Sequence, residues 1–210
     1  GSTTNIVLAL TSGIGTPGAV LGGTATVAAT AGVATFASVT VAKAGAGYTL
    51  TASATGLTSA ISTAFNVPPG AASKLAFTVQ PSTVVAGAAI DPAVQVTLQD
   101  ALGNTDTSAT TSVTLAITAG TGIGGAALGG TLTQAAVAGV ATFTDLSLDK
   151  AGPGYSLRAT ATSLTSATSS AFTVTPGAAS KLAFTVQPSA VVAGVAIAPA
   201  VKVTVQDALG

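Results

Sequence analysis

Apolar side chains recur at every second position of this chain, in short runs divided by glycine and proline. Leu75, Phe77 and Val79 alternate with Ala76 and Thr78, and Val94, Val96 and Leu98 with Gln95, Thr97 and Gln99. Val113, Leu115 and Ile117 alternate with Thr114 and Ala116. A period of two sends successive side chains to opposite faces of a β-strand, one buried and one solvated. Further strands are predicted over residues 140–148, 155–162 and 169–174. In the first of these the parity breaks between Phe143 and Leu146, which predicts a β-bulge. Turn residues punctuate the pattern at Pro81, Gly87, Pro92, Gly103, the glycine-rich run 120–130, Gly139, residues 152–154 and Pro176-Gly177. No helical apolar period competes with this reading.

The pattern repeats. Ala-Ala-Ser-Lys-Leu-Ala-Phe-Thr-Val-Gln-Pro-Ser stands at 71–82 and again at 178–189, an offset of 107 residues. The same offset carries Asp-Ala-Leu-Gly from 100–103 to 207–210, and Gly-Val-Ala-Thr-Phe from 32–36 to 139–143. Lys-Ala-Gly-Ala-Gly-Tyr at 43–48 falls on Lys-Ala-Gly-Pro-Gly-Tyr at 150–155. Self-similarity at a fixed period marks a repeat architecture. Three segments follow: 1–70 matches the later part of a unit, 71–177 is one complete unit, and 178–210 matches the opening of the next. The 210 residues are four short of two units, and the four missing positions correspond to 104–107.

About seven short alternating strands in a 107-residue period predict an all-β chain of tandem immunoglobulin-like β-sandwiches. Tyr155 closes a Gly-Pro-Gly loop and opens an alternating run, and Tyr48 holds the same place in the other unit. That is the position of a tyrosine corner, whose hydroxyl bonds back to upstream backbone. The competing reading, a tyrosine stacking on a ligand, leaves the shared position in both units unexplained.

Composition narrows the chemistry. The chain has no His, Cys, Met or Trp, and no Glu stands among its six acidic residues. A thiol nucleophile, a Ser–His–Asp relay and a zinc site of His or Cys ligands are excluded, and the reading is not an enzyme, with no cofactor. Phosphate neutralisation needs clustered Lys and Arg, whereas the net charge is zero, so nucleic acid is not an expected partner. With 48% hydrophobic and 6% charged residues the chain is not of the disordered class. The most apolar windows are too short for a membrane span. So little charge suits a protein packed end to end better than a freely diffusing one.

Lys-Leu-Ala-Phe-Thr-Val-Gln-Pro-Ser, Pro-Ala-Val-Gln-Val-Thr-Leu-Gln-Asp-Ala-Leu-Gly-Asn, Gly-Val-Ala-Thr-Phe and Lys-Ala-Gly-Pro-Gly-Tyr-Ser-Leu together resemble the bacterial Ig-like (Big-type) tandem repeats of large cell-surface and secreted adhesin-like proteins. The resemblance covers essentially the whole chain. It implies an extracellular location on the bacterial cell surface and a role in spacing, adhesion or fibre building. It carries over no catalytic residue.

Asp100, Asn104 and Asp106 are the one candidate metal group, three oxygen donors on one predicted loop. Calcium takes six to eight such oxygens, so backbone carbonyls must complete the shell. The plainer reading of Asp-Ala-Leu-Gly-Asn is turn chemistry, with Asp and Asn bonding their own backbone. Asp145 and Asp149 are matched by Ser38 and Ala42 one unit earlier, and Asp91 by Ala198, so none of these carboxylates belongs to every repeat. The glycine-rich run 120–130 lacks the Lys-Ser/Thr and the helix of a phosphate cradle. Arg158 reads as a solvated strand residue.

The phase of the repeat has a physical consequence. Residues 1–70 are predicted to bare the core face that the first strands of a unit cover, and 178–210 to form two strands without a sandwich, a marginal structure alone. Strands of about ten residues separate the poles of such a domain by roughly 30–40 Å, and the link 68–73 is too short to fold the tail back. Strand addition between chains leads to the expectation that the partners are copies of the chain itself, head to tail, with 178–210 of one completing 1–70 of the next. The function expected is a non-catalytic structural repeat of a bacterial extracellular stalk or filament. The alternative is an adhesin module for a carbohydrate or host surface, which lacks the exposed aromatics that sugar stacking uses.

Overall fold

Residues 3–210 are described by a computed structural model, and every regular element among them is a strand. The chain divides into two compact units, Gly1–Lys74 with Leu98–Ala109, and Leu75–Thr97 with Thr110–Gly210. The division falls inside the 107-residue repeat, because the loop after residue 98 groups with the segment that precedes it.

The first unit holds β1 (Asn5–Leu10), β2 (Leu21–Gly22), β3 (Thr26–Ala28), β4 (Thr40–Val41), β5 (Gly45–Tyr48), β6 (Leu50–Ser53), β7 (Ala60–Ile61) and β8 (Phe65–Val67). An antiparallel sheet runs β3-β1-β6-β7, with Ile6 opposite Val27 and Leu8 opposite Ala52. β2 pairs with β4 and β5 with β8. Along β1 the odd positions are exposed and Ile6, Leu8 and Leu10 are only half-buried. The alternation is present, but one side of the sheet stays open.

β9 (Lys74–Val79) and β11 (Val94–Gln99) cross the division. With them, the second unit holds β10 (Val84–Val85), β12 (Ser112–Ile117), β13 (Leu128–Gly129), β14 (Thr133–Ala135), β15 (Val140–Phe143), β16 (Ser147–Leu148), β17 (Gly152–Tyr155), β18 (Leu157–Thr160), β19 (Ala167–Thr168) and β20 (Phe172–Thr175). A hairpin of β21 (Lys181–Val186) and β22 (Lys202–Gln206) follows. The sheets run β14-β12-β18-β19, β15-β11-β9 and β10-β20-β17, with β13 beside β16. β10 runs parallel to β20, with Val84 beside Val174. The inward residues close over one core: Val94, Val96 and Leu98 from β11, Val113 and Leu115 from β12, and Leu157 and Ala159 from β18 are all buried. Ala141, Phe143, Phe172 and Val174 complete it. This is the immunoglobulin-like β-sandwich of the complete repeat.

Two predicted strands are each split. Between Phe143 and Leu146 the chain does not bulge; it leaves β11, which pairs with β15, and rejoins as β16 on β13. The parity break is the step between partners, and it leaves Phe143, Leu146 and Leu148 all inward and fully buried. Likewise Ser156 separates Tyr155, opposite Phe172, from Leu157, opposite Ile117. Ser156 is itself held by the Thr121 hydroxyl, which accepts from its N–H at 3.2 Å, and by Thr118 N–H, which donates to its carbonyl at 2.8 Å.

The same short sequence takes different structure at its two occurrences. Gly-Val-Ala-Thr-Phe forms β15 at 140–143, where Phe143 is buried, but at 33–36 it forms no strand and Phe36 is half-exposed. Val84–Val85 is a strand, whereas Val191 and Val192 are not. Each loss follows from a missing partner, since a strand without a neighbour has no ladder to enter. Accordingly Phe143→Ala is expected to lower stability by about 3–5 kcal/mol through the cavity it opens. Phe36→Ala should cost a small fraction of that, both being read as the shift of the urea midpoint for loss of β-sheet circular dichroism.

Candidate functional site

The side chains with the most polar partners sit where the loop between β11 and β12 meets the linker after β8. Asp100 is buried, and its Oδ1 accepts the N–H groups of Leu102 and Asn104, each at 2.9 Å. Its Oδ2 accepts Gly70 N–H and the Asn104 side-chain amide, both at 2.9 Å. Asn104 reaches on: its Oδ1 accepts Ala44 N–H at 2.9 Å and its Nδ2 donates to Ala42 O at 2.9 Å. Asp106 faces other donors, with Oδ2 on Ala72 N–H at 3.1 Å and Oδ1 on the Ser108 N–H and hydroxyl. Lys74 Nζ donates to Ala101 O at 3.0 Å.

The weak calcium candidate, beside which turn chemistry is the plainer reading, is therefore split. Asp100 and Asn104 lie together, while Asp106 turns to the linker and to Ser108, and the oxygens of all three accept from N–H or O–H donors. Chemically this is a clamp, in which carboxylates satisfy the linker N–H groups that neither sheet pairs. A second copy stands 107 residues on. Asp207 Oδ2 accepts Gly177 N–H at 2.8 Å, its Oδ1 accepts from Leu209 and Gly210, and Lys181 Nζ donates to Ala208 O at 3.2 Å. Sequence reasoning missed Gly70 and Gly177 as partners, although Pro-Gly preceding each Asp at the same distance was the available signal.

Both tyrosines are fully buried. Tyr48 donates its hydroxyl to Lys43 O at 2.9 Å, and Tyr155 to Lys150 O at 2.8 Å, each the bond back to upstream backbone that makes a tyrosine corner. Their rings pack on Phe65 and Phe172, with centroids 5.9 Å and 6.0 Å apart. The glycine-rich loops have their reason here: a Cβ on Gly15 (φ +78°) or Gly122 (φ +66°) would run into the tyrosine ring. Lys43 and Lys150 tie the same loops by donating to Pro17 O and Gly124 O. Asp145 accepts the N–H and hydroxyl of Thr131, and its counterpart Ser38 accepts Thr24 N–H at 3.2 Å, so one turn is closed by two different side chains. Arg158 is exposed, with Nη2 donating to Ser166 Oγ at 3.3 Å.

Open depressions flank each clamp. One, of about 530 Å³, is lined by Lys43, Asn66, Pro68, Pro69, Asn104 and Thr107. The other, of about 480 Å³, is lined by Ile123, Asp149, Lys150, Pro176, Asp207 and Leu209. Among the described residues no three carboxylates converge on either, or anywhere else.

No protein-family model matches the chain. No characterised protein matches it either. Among solved structures, it is similar to a β-glycosidase from Bacteroides vulgatus at 12% identity and a TM-score of 0.40, over 82% of this chain and 21% of that one. It is also similar to a chimeric titin Z1Z2 tandem functionalised with a GRGDS peptide from fibronectin, at 20% identity and a TM-score of 0.27. That match covers 64% of this chain and 65% of the titin chain.

Hydrogen bonding sets the acid behaviour of the clamp. The Asn104 amide, then the N–H groups of Gly70, Asn104 and Leu102, hold the Asp100 carboxyl at about 2, below its ordinary 3.8, against the opposing effect of burial. Asp106, held chiefly by Ser108, and Asp207, held chiefly by Gly177, are lowered too. A carboxyl depressed in the folded state contributes its stability above the unfolded value and loses it as pH falls through the folded one. The Asp100 clamp is thus expected to be intact above about pH 4 and lost as pH falls towards 2. A titration of the Gly70 amide chemical shift checks this: its midpoint should lie near 2, and Asp100→Ala should abolish the transition.

Proposed function

We propose that the chain is a non-catalytic structural stretch of a bacterial extracellular stalk or filament, built from Ig-like repeats and transmitting tension along its length. The observation that carries this reading is the recurrence of the same linker clamp, Gly70 on Asp100 and Gly177 on Asp207, at one repeat's spacing. A linker tied to the following loop in the same way twice is what a regular spacer needs. The bacterial and extracellular parts of the reading rest on the resemblance of the repeat sequence.

The topology of the complete repeat supports a mechanical role. β10 near its beginning and β20 at its end are parallel neighbours, with Ala86 N–H donating to Thr175 O at 2.8 Å and the Thr175 hydroxyl to Val84 O at 3.3 Å. Pulling the two ends of the repeat apart slides parallel strands along each other. All bonds between them then take load together, whereas antiparallel ends unzip one bond at a time.

Single-molecule stretching of the chain from its ends tests this. The complete repeat is expected to give one cooperative step releasing about 100 residues, roughly 360 Å of contour length. Ala86→Pro, which removes the donor to Thr175, should lower the force of that step and leave its length unchanged. Extension without a step would overturn the structural reading, and selective capture on a glycan array would favour the adhesin alternative.

A further inference from the structure

Of the six aspartates, five hold the chain's own backbone: Asp100, Asp106, Asp145, Asp149 and Asp207 each accept from a backbone N–H. Asp91 differs. Among the described residues no donor takes its carboxyl oxygens and no cation pairs with them. It is exposed, and so is Pro92 after it. β10, β11 and β15 carry no charged side chain. Asp145, beside the Leu146 whose carbonyl accepts Ile90 N–H, is turned to Thr131.

The backbone of Asp91, by contrast, is held closely. Ser82 Oγ donates to the Asp91 carbonyl oxygen at 2.6 Å, far closer than its other acceptor, Thr83 O at 3.5 Å. Both flanks are pinned. Ile90 is buried with its N–H on Leu146 O at 2.7 Å, and Val94 is buried opposite Phe143.

We infer that Asp91–Pro92 is a self-cleavage site, at which the Asp91 carboxyl cuts the peptide bond that follows it in mild acid. One carboxyl oxygen adds to the Asp91 carbonyl carbon, a ring closure within a single residue. The negative charge that gathers on the carbonyl oxygen meets the Ser82 hydroxyl already placed there. The bond to the Pro92 nitrogen then breaks. That nitrogen keeps the electron pair and takes the proton that the carboxyl sheds. Water opens the cyclic anhydride left on Asp91, which restores the side-chain carboxyl and leaves a second one at the new chain end. No other reactant is consumed. Proline suits the step, because its tertiary amide nitrogen is readily protonated. Having no N–H, it also closes the competing path in which the backbone nitrogen attacks the side chain.

A natural control lies one period on. Ser189 Oγ donates to Ala198 O at 2.7 Å just before Pro199, the same arrangement without a carboxyl. A cut after Asp91 leaves the repeat assembled, since β9 stays beside β11 and β10 beside β20. Where the structural-repeat reading above holds, the nick turns a repeat that lengthens under tension into one that parts.

Intact-mass spectrometry of the chain held at about pH 4, near the ordinary carboxyl value, tests the inference. Fragments 1–91 and 92–210 are expected, together heavier than the chain by one water, with no cut after Ala198. Asp91→Ala should abolish them. Ser82→Ala should slow their appearance about tenfold, the loss of one hydrogen bond to the developing charge. Ser82→Thr, which keeps the hydroxyl, should restore the rate. Unfolding in urea at the same pH should slow wild type as Ser82→Ala does, because the hydroxyl is then no longer held at the carbonyl. An uncut wild type, or cutting that survives Asp91→Ala, overturns the inference. So does a rate indifferent to Ser82→Ala and to unfolding, which is the acid lability of any Asp–Pro bond. Stretching keeps the two readings apart: the uncut chain should show its unfolding step, and the cut chain should part there. Fragments formed from a chain that shows no step overturn the structural-repeat reading and leave the cleavage site standing.

Discussion

A β-strand exists only where a neighbouring edge accepts its backbone. Each residue brings a donor and an acceptor that water or another strand must satisfy, and a short ladder is marginal until several strands share a covered face. In this chain the rule is visible as a comparison within one molecule. Gly-Val-Ala-Thr-Phe is a strand with a buried phenylalanine beside β11, and an irregular segment with a half-exposed one where no β11 lies beside it. Local sequence is the same in both places, so the difference belongs to pairing alone. The position of every other element follows from which edges find partners.

This explains what could be read from the residues. The period-two runs of β9, β11 and β12 located those strands closely, because a strand with one buried face writes its alternation into the sequence. The tyrosine positions were legible too, since both units place Tyr after the same glycine loop. The steps at Phe143–Leu146 and at Ser156 were not, because a strand that changes partner keeps the composition of one that continues. Nor were the partners of Asp100 and Asp106. An oxygen-rich loop is written the same way whether its carboxylates meet a cation or linker N–H groups, and only the fold brings Gly70 and Ala72 within reach.

The polar chemistry of the molecule is correspondingly modest and placed at joints. Lys43 and Lys150 secure glycine-rich loops, the tyrosine hydroxyls fasten the corners, and the aspartates fasten the linkers. Elsewhere Leu, Val, Ala and Phe do the packing.

The repeated linker clamp bears on how such a gene changes length. Gly70 with Asp100 and Gly177 with Asp207 are one joint made twice, and both partners of each joint lie within about thirty residues of sequence. Unequal recombination between the identical stretches at 71–82 and 178–189 would add or delete whole 107-residue periods in frame. Each product carries joints it already knows how to make. A change of length by whole periods would therefore need no new interface to evolve.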